Sequence, residues 1–185
     1  WEYLYNAPVN QFLTLSTKTP LVRFLNLPES ARPLRIQTPL RVLTVISSPI
    51  DFEPLGLHQE RAKLDGALGD LQRRGLVALE FMAAPTLGAL QRHLRRKEYH
   101  VLHFIGHGSF NTQSQDGELI FEEEQRRGRR VSGQDLGMLL HDHESLRLAI
   151  LNTCEGARTS RLDTFSGVAQ SLVQQGIPAV IAMQF

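Results

Sequence analysis

One cysteine at the end of a strand-like run is the residue of this sequence best placed for covalent chemistry. Cys154, the sole cysteine among 185 residues, lies in LAILNTCEGARTS, where an apolar run gives way to small and polar residues. A structural cysteine normally lies inside such a run, whereas a reactive thiol lies where it meets solvent. A thiol becomes a thiolate near neutral pH only with a base or a positive charge beside it. A partner for Cys154 must therefore come from elsewhere in the chain.

The elements that would position such a pair alternate regularly from Leu40 onward. Five apolar runs indicate strands: LRVLTVIS, LVALEFMA, YHVLHFIG, LRLAILN and PAVIAMQ. Helical spacing appears in LHQERAKLDGALGDLQRRG, TLGALQRHLRRKE, SGQDLGMLLHD and TFSGVAQSLVQQG. GELIFEEE and RRV flank a glycine-containing turn and predict a hairpin between the third and fourth strands. The alternation predicts an α/β fold, a mostly parallel sheet with helices on both faces.

The first 38 residues have a different character from the rest. FLTLST and LVRFLNL surround KTP and predict a short hairpin, which the proline-rich segment PESARPLRIQTP follows as a linker. We therefore divide the chain into an N-terminal β extension with its linker, 1–38, and an α/β domain, 39–185. Because the chain lacks an initiator methionine and stops at AVIAMQF, we expect a piece of a longer polypeptide, with the α/β domain incomplete at its C-terminus.

The seven histidines can be sorted by the edge of the sheet on which each should fall. Sites in such folds lie beyond the carboxyl ends of the strands, where Cys154 lies after the fourth strand. A six-residue strand separates the two edges by roughly 20 Å, too far for a hydrogen bond. Five histidines open or precede a strand, or lie inside a strand or helix: His100, His141, His143, His103 and His93. His58, near a helix start, and His107, in FIGHGSF, remain at the correct edge.

His107 is the stronger of these two candidates because of the glycines beside it. Gly106 lets the chain turn off the third strand, and Gly108 offers a backbone N–H that no side chain obstructs. Such a donor beside a base is suited to stabilising a developing oxyanion. The simpler interpretation stands beside this one: a lone cysteine is often a small core residue, and a histidine between glycines can simply mark a loop.

Composition narrows the classes of function. The net charge of +1 gives no case for direct binding of nucleic acid or an anionic membrane. No apolar run approaches the length of a membrane span. One cysteine excludes an internal disulfide framework and favours a reducing compartment, so we expect a cytoplasmic protein. Dinucleotide binding is disfavoured because no G-x-G-x-x-G follows the first strand.

VLHFIGHGSF followed by LAILNTCEGA resembles the CHAT domain family, caspase-like cysteine peptidases related to metacaspases and separase. WEYLYN, LRVLTVISSP and SGVAQSLVQQGIPAVIAMQF fit the same family, so the resemblance covers nearly the whole chain. It implies a caspase-like sheet and a cysteine endopeptidase without metal or organic cofactor. By position it makes His107 the catalytic histidine and Cys154 the nucleophile. The backbone N–H groups of Gly108 and Cys154 would form the oxyanion hole.

The resemblance also bears on substrates and partners. Relatives that cut after Arg or Lys carry an acidic residue two positions before the cysteine, where this chain has Asn152. A strictly basic P1 residue is therefore not expected, although Asp51 or Glu155 could supply charge to the substrate-binding site. Family members commonly lie in multidomain bacterial proteins beside tetratricopeptide or other sensor repeats. Some cut a protein partner in signalling or defence, including gasdermin-like substrates, and we expect a protein substrate here.

Two other classes of function stay open. A caspase-like domain without turnover would serve as a scaffold or a signalling module bound to adjacent repeats. An α/β-hydrolase with a cysteine nucleophile is disfavoured, because NTCEG lacks the first glycine of that motif. That fold also places its histidine after the nucleophile, and no histidine follows Cys154.

Overall fold

The computed structural model of the chain describes residues 5–12, 37–114, 116–152 and 164–182. The chain divides into two compact units, Trp1–Ser30 and Ala31–Phe185. In the first unit, β1 (Tyr5–Asn6) pairs antiparallel with β2 (Gln11–Phe12). Apart from Phe12, the strands predicted at FLTLST and LVRFLNL lie outside the described residues. The division at residue 38 stays a prediction.

A parallel sheet of five strands forms the centre of the second unit. Its strands are β3 (Leu40–Ile46), β4 (Val77–Phe81), β5 (Val101–Ile105), β9 (Leu148–Asn152) and β10 (Ala179–Ala182). They lie in the order β10-β9-β5-β3-β4, and every neighbouring pair is parallel. The predicted α/β fold is thereby confirmed, since each of the five apolar runs forms the strand expected of it.

Within the described ranges, four α-helices connect and cover these strands. They are α1 (Leu57–Arg73), α2 (Leu87–Arg96), α3 (Gly133–Leu140) and α4 (Thr164–Gln174). Thr86 caps α2 by accepting a hydrogen bond from the Ala89 N–H, as its position at the helix start suggests. Gly75 ends the α1 region with a φ of 69°, which a residue with a side chain rarely adopts. None of the described helices is both long and apolar enough to cross a membrane.

Apolar side chains cover both faces of the sheet. Leu43 of β3 and Phe104 of β5 pack in one buried cluster with residues of α2, α3 and α4, such as Leu90 and Leu172. On the opposite face, a second cluster joins three strand valines to two leucines of α1: Val42, Val77, Val101, Leu68 and Leu71. Helices therefore lie on both faces, as strands apolar on both sides require.

A small antiparallel sheet interrupts the alternation between β5 and α3. It consists of β6 (Gly108–Asn111), β7 (Asp116–Glu122) and β8 (Gly128–Ser132), in that order. The β7–β8 pair confirms the hairpin predicted from GELIFEEE and RRV, with Glu122 opposite Gly128. Strand β6 was not predicted. It extends the hairpin by a strand that begins directly after His107.

Candidate active site

The carboxyl ends of three neighbouring strands are tied together just before His107. The Gly106 N–H donates to the backbone oxygen of Asn152, at the end of β9, over 3.1 Å. The Ser47 N–H, just past β3, donates to the backbone oxygen of Ile105 over 2.8 Å. His107 therefore begins at a fixed point at the edge where active sites of such sheets form.

Gly106 is needed here for a reason other than the predicted one. The chain bends at Gly106 as expected, but its φ lies outside the left-handed region, so the bend does not require a conformation that glycine alone favours. A Cβ at this position would lie 2.6 Å from Cζ of Phe104 and 3.3 Å from the backbone oxygen of Ser47. Phe104 is 1% exposed and has no room to yield. Close packing excludes any side chain at residue 106.

The His107 ring is buried, with 4% of the residue exposed, and its orientation is defined by two contacts. Nε2 lies 2.8 Å from the backbone oxygen of Glu53, in the loop after β3. The ring of Phe52 stacks on the imidazole with a centroid separation of 5.3 Å. Since a carbonyl oxygen only accepts, the proton of this hydrogen bond must be on Nε2. In the neutral ring Nδ1 is then the basic nitrogen.

The backbone after His107 directs a donor away from the small sheet. The Ile120 N–H donates to the His107 backbone oxygen over 3.0 Å. The C=O and N–H of a trans peptide point in opposite directions, so the Gly108 N–H points away from β7. Strand β6 is an outer strand of its sheet. Gly108 thus places a backbone donor beside His107 on the side that β7 does not cover.

Of the other histidines, His100, His103 and His58 lie where the sequence placed them. At the amino end of β5, His100 Nδ1 accepts the Arg41 N–H over 3.0 Å. Within β5, His103 is 8% exposed, and burial lowers its pKa although the charge of Glu60 opposes the shift. His58 is the second residue of α1 and is exposed.

The remaining three histidines do not contact the groups around His107. Nδ1 of His93 on α2 lies 3.2 Å from Oε1 of Glu80. His141 directly follows α3, and its Nδ1 lies 2.8 Å from the backbone oxygen of Gln175. His143 precedes β9. Neither of these two contacts involves the carboxyl ends of β3, β5 and β9.

The other predicted site residues divide between the described part of the chain and the rest. Asn152 ends β9, is half-buried and lies opposite Ile105 in the strand register. Asp51 lies in the loop after β3, where its Oδ1 accepts the Gly128 N–H over 2.8 Å. Cys154 and Glu155 lie outside the described residues. The structure therefore brings His107, Gly108 and Asn152 to one edge of the sheet.

Sequence reasoning missed both groups that orient His107. Phe52 and the backbone oxygen of Glu53 follow β3, at the same sheet edge as His107. Because both residues come soon after a predicted strand, the sequence did indicate that they lie at that edge. Nothing in the residue types indicates the contact, because a backbone oxygen carries no sequence signature.

A polar network just beyond His107 was also not predicted. The Glu118 carboxylate on β7 accepts hydrogen bonds from Ser109, Asn111 and Arg130. Burial acts to raise the pKa of Glu118, but these three donors outweigh it and hold the pKa below its usual value. This carboxylate is therefore ionised at neutral pH. Within the described residues, no cluster of His, Cys, Asp and Glu has the arrangement of a metal site.

Comparison with known protein families identifies the family of this chain. No curated protein matches this chain. The sequence profile of the CHAT domain matches residues 1–185, the whole of the chain. The chain belongs to the CHAT domain family, a family of caspase-like cysteine peptidases.

Proposed function

We propose that this domain is a cysteine endopeptidase in which His107 and Cys154 form the catalytic dyad. The observation that carries the proposal is the burial of the His107 ring and the hydrogen bond that fixes its tautomer. Its ring is buried just past the carboxyl end of β5. The backbone oxygen of Glu53 accepts the hydrogen bond from Nε2–H, which leaves Nδ1 as the basic nitrogen. An imidazole fixed in one tautomer beside a backbone donor is what proton transfer from a thiol requires.

The strand register supports the pairing of His107 with Cys154. Ile105 and Asn152 are opposite each other in β5 and β9. His107 and Cys154 each follow one of these residues by two positions. Neighbouring strands lie about 4.8 Å apart. Two residues of chain span at most about 7 Å, a reach that allows a thiol at position 154 to approach the imidazole.

The reaction follows from these roles. Nδ1 of His107 takes the proton of the Cys154 thiol, and the thiolate sulfur attacks the scissile carbonyl carbon. The N–H groups of Gly108 and Cys154 donate to the oxygen that becomes negative. The protonated His107 then gives its proton to the leaving amine as the C–N bond breaks and a thioester forms. Water hydrolyses the thioester with His107 as base. No metal or organic cofactor takes part.

The substrate of this proposal is a protein partner of the parent polypeptide. The CHAT match supports the peptidase family alone. From the resemblance we propose further that the peptidase acts beside sensor repeats in a bacterial cytoplasm, on a gasdermin-like or another defence target. Asn152 supports an S1 pocket without an acidic residue at that position. Asp51 and Glu155 are the other candidates for contacts with the substrate.

The test is a cleavage-site profile of the full-length parent and its variants on a proteome-derived peptide library. We expect Cys154→Ala and His107→Ala each to abolish cleavage, and the double variant to be no worse, because a catalytic pair acts as one unit. His58→Ala is the matched control and should retain most activity. Cleavage by Cys154→Ala at a rate near that of the wild type would contradict the nucleophile assignment.

Labelling with an electrophilic peptide probe separates a peptidase from a silent scaffold. A peptidase should be labelled at Cys154 in the wild type and much more slowly in His107→Ala, since the thiolate depends on the imidazole. Equal and slow labelling of both proteins would favour the scaffold. Mass spectrometry of the labelled peptide identifies the residue.

A further inference from the structure

The loop after β3, residues 48–53, contains both groups found to orient the His107 ring in the described part of the chain; we call it the β3 loop. Phe52 stacks on the imidazole, and the Glu53 backbone oxygen accepts the Nε2 proton. Both contacts depend on where the loop backbone lies. A shift of the loop by about 1 Å would lengthen a 2.8 Å hydrogen bond beyond its useful range.

The β3 loop is in turn bound to the turn between β7 and β8. The Gly128 N–H donates to Oδ1 of Asp51 over 2.8 Å, one residue before Phe52. The Ile50 N–H donates to the backbone oxygen of Arg126 over 2.9 Å. These two bonds hold consecutive residues of the turn that leads to Phe52.

A second set of contacts fixes the start of the loop. The Ser48 N–H donates to Oε1 of Glu122, a buried carboxylate at the end of β7. Nε of Arg126 lies 3.5 Å from Oε2 of Glu122. Arg126 itself has a φ of 59°, in the left-handed region, so the turn has a defined conformation that these contacts stabilise.

Phe52 packs directly on the turn as well as on His107. A Cβ at Gly128 would lie 2.3 Å from Cε2 of Phe52 and 2.9 Å from Cγ2 of Ile120. Ile120 is fully buried, whereas Phe52 is half-buried and free to move outward. Gly128 thus allows the phenyl ring to lie where it stacks on the imidazole.

We propose that Asp51 is a positioning residue for His107. Its carboxylate oxygen binds the Gly128 N–H, which holds the β3 loop against the β7–β8 turn so that Glu53 fixes the imidazole tautomer. This inference rests on the proposed function of His107 as the catalytic base. It gives Asp51 a role that depends on an acceptor oxygen and not on charge, unlike a role in binding a basic P1 side chain.

The experiment compares Asp51→Ala and Asp51→Asn in the full-length parent. Asparagine keeps an acceptor oxygen and loses the charge, so it should restore at least half of the wild-type kcat. Alanine should lower kcat roughly 10- to 100-fold with little change in KM, the cost expected when a catalytic group is misplaced. Asp65→Ala, an exposed aspartate on α1, is the matched control and should match the wild type.

Gly128→Ala tests the same contact from the opposite side. The added methyl group should displace Phe52 and lower kcat as Asp51→Ala does, although no charge changes. Gly66→Ala, where a Cβ would meet no atom within 4 Å, is the matched control. Thermal melting of each variant confirms that it is folded.

A readout that does not depend on turnover keeps this proposal separate from the proposed function. Selective ¹⁵N-histidine NMR of the full-length parent, assigned with His107→Gln, reports the His107 tautomer directly. We expect the Nε2–H form in the wild type and Asp51→Asn, and a mixture of tautomers in Asp51→Ala. An unchanged tautomer in Asp51→Ala, or equal damage by asparagine and alanine, would overturn the positioning role. If Asp51→Ala changes the tautomer as expected but the wild type shows no peptidase activity, only the proposed function is overturned.

Discussion

At the scale of single residues, a neutral side chain at Asn152 is the feature that bears most on specificity. The residue ends β9, and its backbone oxygen accepts the N–H of Gly106, which directly precedes His107. Its backbone is therefore fixed at the carboxyl edge of the sheet, whereas its side chain carries no charge. A charged P1 side chain buried without a counter-charge loses several kcal/mol of binding free energy, on the order of 2–5. We therefore expect P1 to be apolar or polar and uncharged.

We predict that Asn152→Asp creates a preference for basic P1 residues. The ratio of kcat/KM for P1 Arg to that for P1 Ala should rise about tenfold or more, which corresponds to ~1.4 kcal/mol. A P1 peptide library assayed with the full-length parent measures this ratio. Asn152→Ser, which stays neutral, is the control and should leave the ratio unchanged.

The wild-type profile can contradict the idea of a neutral pocket. A strong preference for P1 Arg or Lys in the wild type would show that another acidic residue serves the S1 site. If that preference also collapsed in Asp51→Asn, Asp51 would be the residue that carries the S1 charge. The positioning role of Asp51 would then fail together with the neutral pocket.

At the scale of elements, the junction of β5 and β6 connects core packing to His107, the proposed catalytic base. Phe104, two residues before Gly106, packs on Phe121 with ring centroids 5.1 Å apart. Both rings are almost fully buried. Because β5 and β7 pack tightly against each other here, the junction is rigid. His107 directly follows the junction, so its backbone is held in place.

The second prediction is that Gly106→Ala destabilises the domain and impairs catalysis. Its Cβ would overlap the Phe104 ring, and overpacking of this kind costs typically about 1–3 kcal/mol. A lower midpoint in thermal or urea unfolding of the full-length parent would confirm the expected cost. Gly66→Ala in α1 has open space around its Cβ and should be neutral or stabilising by up to ~1 kcal/mol. Equal stability of the two variants would argue against the packing explanation.

The same junction shows what the sequence could and could not predict. Strands β3, β4, β5, β9 and β10 were predictable because each is a short apolar run between helical segments. Strand β6 was not, since GSFN lacks the apolar alternation of a strand and becomes one only by pairing with β7. The sheet edge on which His107 lies was predictable from its position directly after the third apolar run. The Glu53 contact did not, because it joins a backbone oxygen to a ring 54 residues away.

At the scale of the whole molecule, buried histidines set how stability depends on pH. Burial lowers the pKa of His100, His103 and His143; neighbouring arginines add to the shift at His100 and His143, and acidic neighbours oppose it at all three. Each of these side chains is harder to protonate in the folded state than in the unfolded chain, where the pKa is about 6.5. Below that pH the unfolded state binds more protons, so the free energy of unfolding falls as the pH falls.

The carboxylates of Glu80 and Glu118 change the stability of the domain over a separate and lower range of pH. Burial alone would raise the pKa of Glu80 and of Glu118, but hydrogen bonds and neighbouring positive charges lower both. A depressed carboxyl pKa contributes stability that is complete above the unfolded value of about 4.5 and is lost as the pH falls below it. Between pH 7 and pH 5, the change in the free energy of unfolding therefore comes mainly from these three histidines.

The last prediction follows from His103, which lies in the middle of β5 between Thr44 of β3 and Ile150 of β9. Protonating it in the folded state would place a charge inside the sheet without a described hydrogen-bond partner, so the domain should lose stability steadily from pH 7 to pH 5. Replacing the imidazole by an apolar side chain in His103→Leu removes this titration, and the slope of stability against pH should flatten. Urea unfolding of the full-length parent at pH 7, 6 and 5 measures the slope. Val101→Ala, a core truncation on the same strand, should lower stability at every pH without changing the slope, which separates titration from loss of packing. A wild-type domain whose stability does not change or increases on acidification would show that His103 is protonated inside the fold.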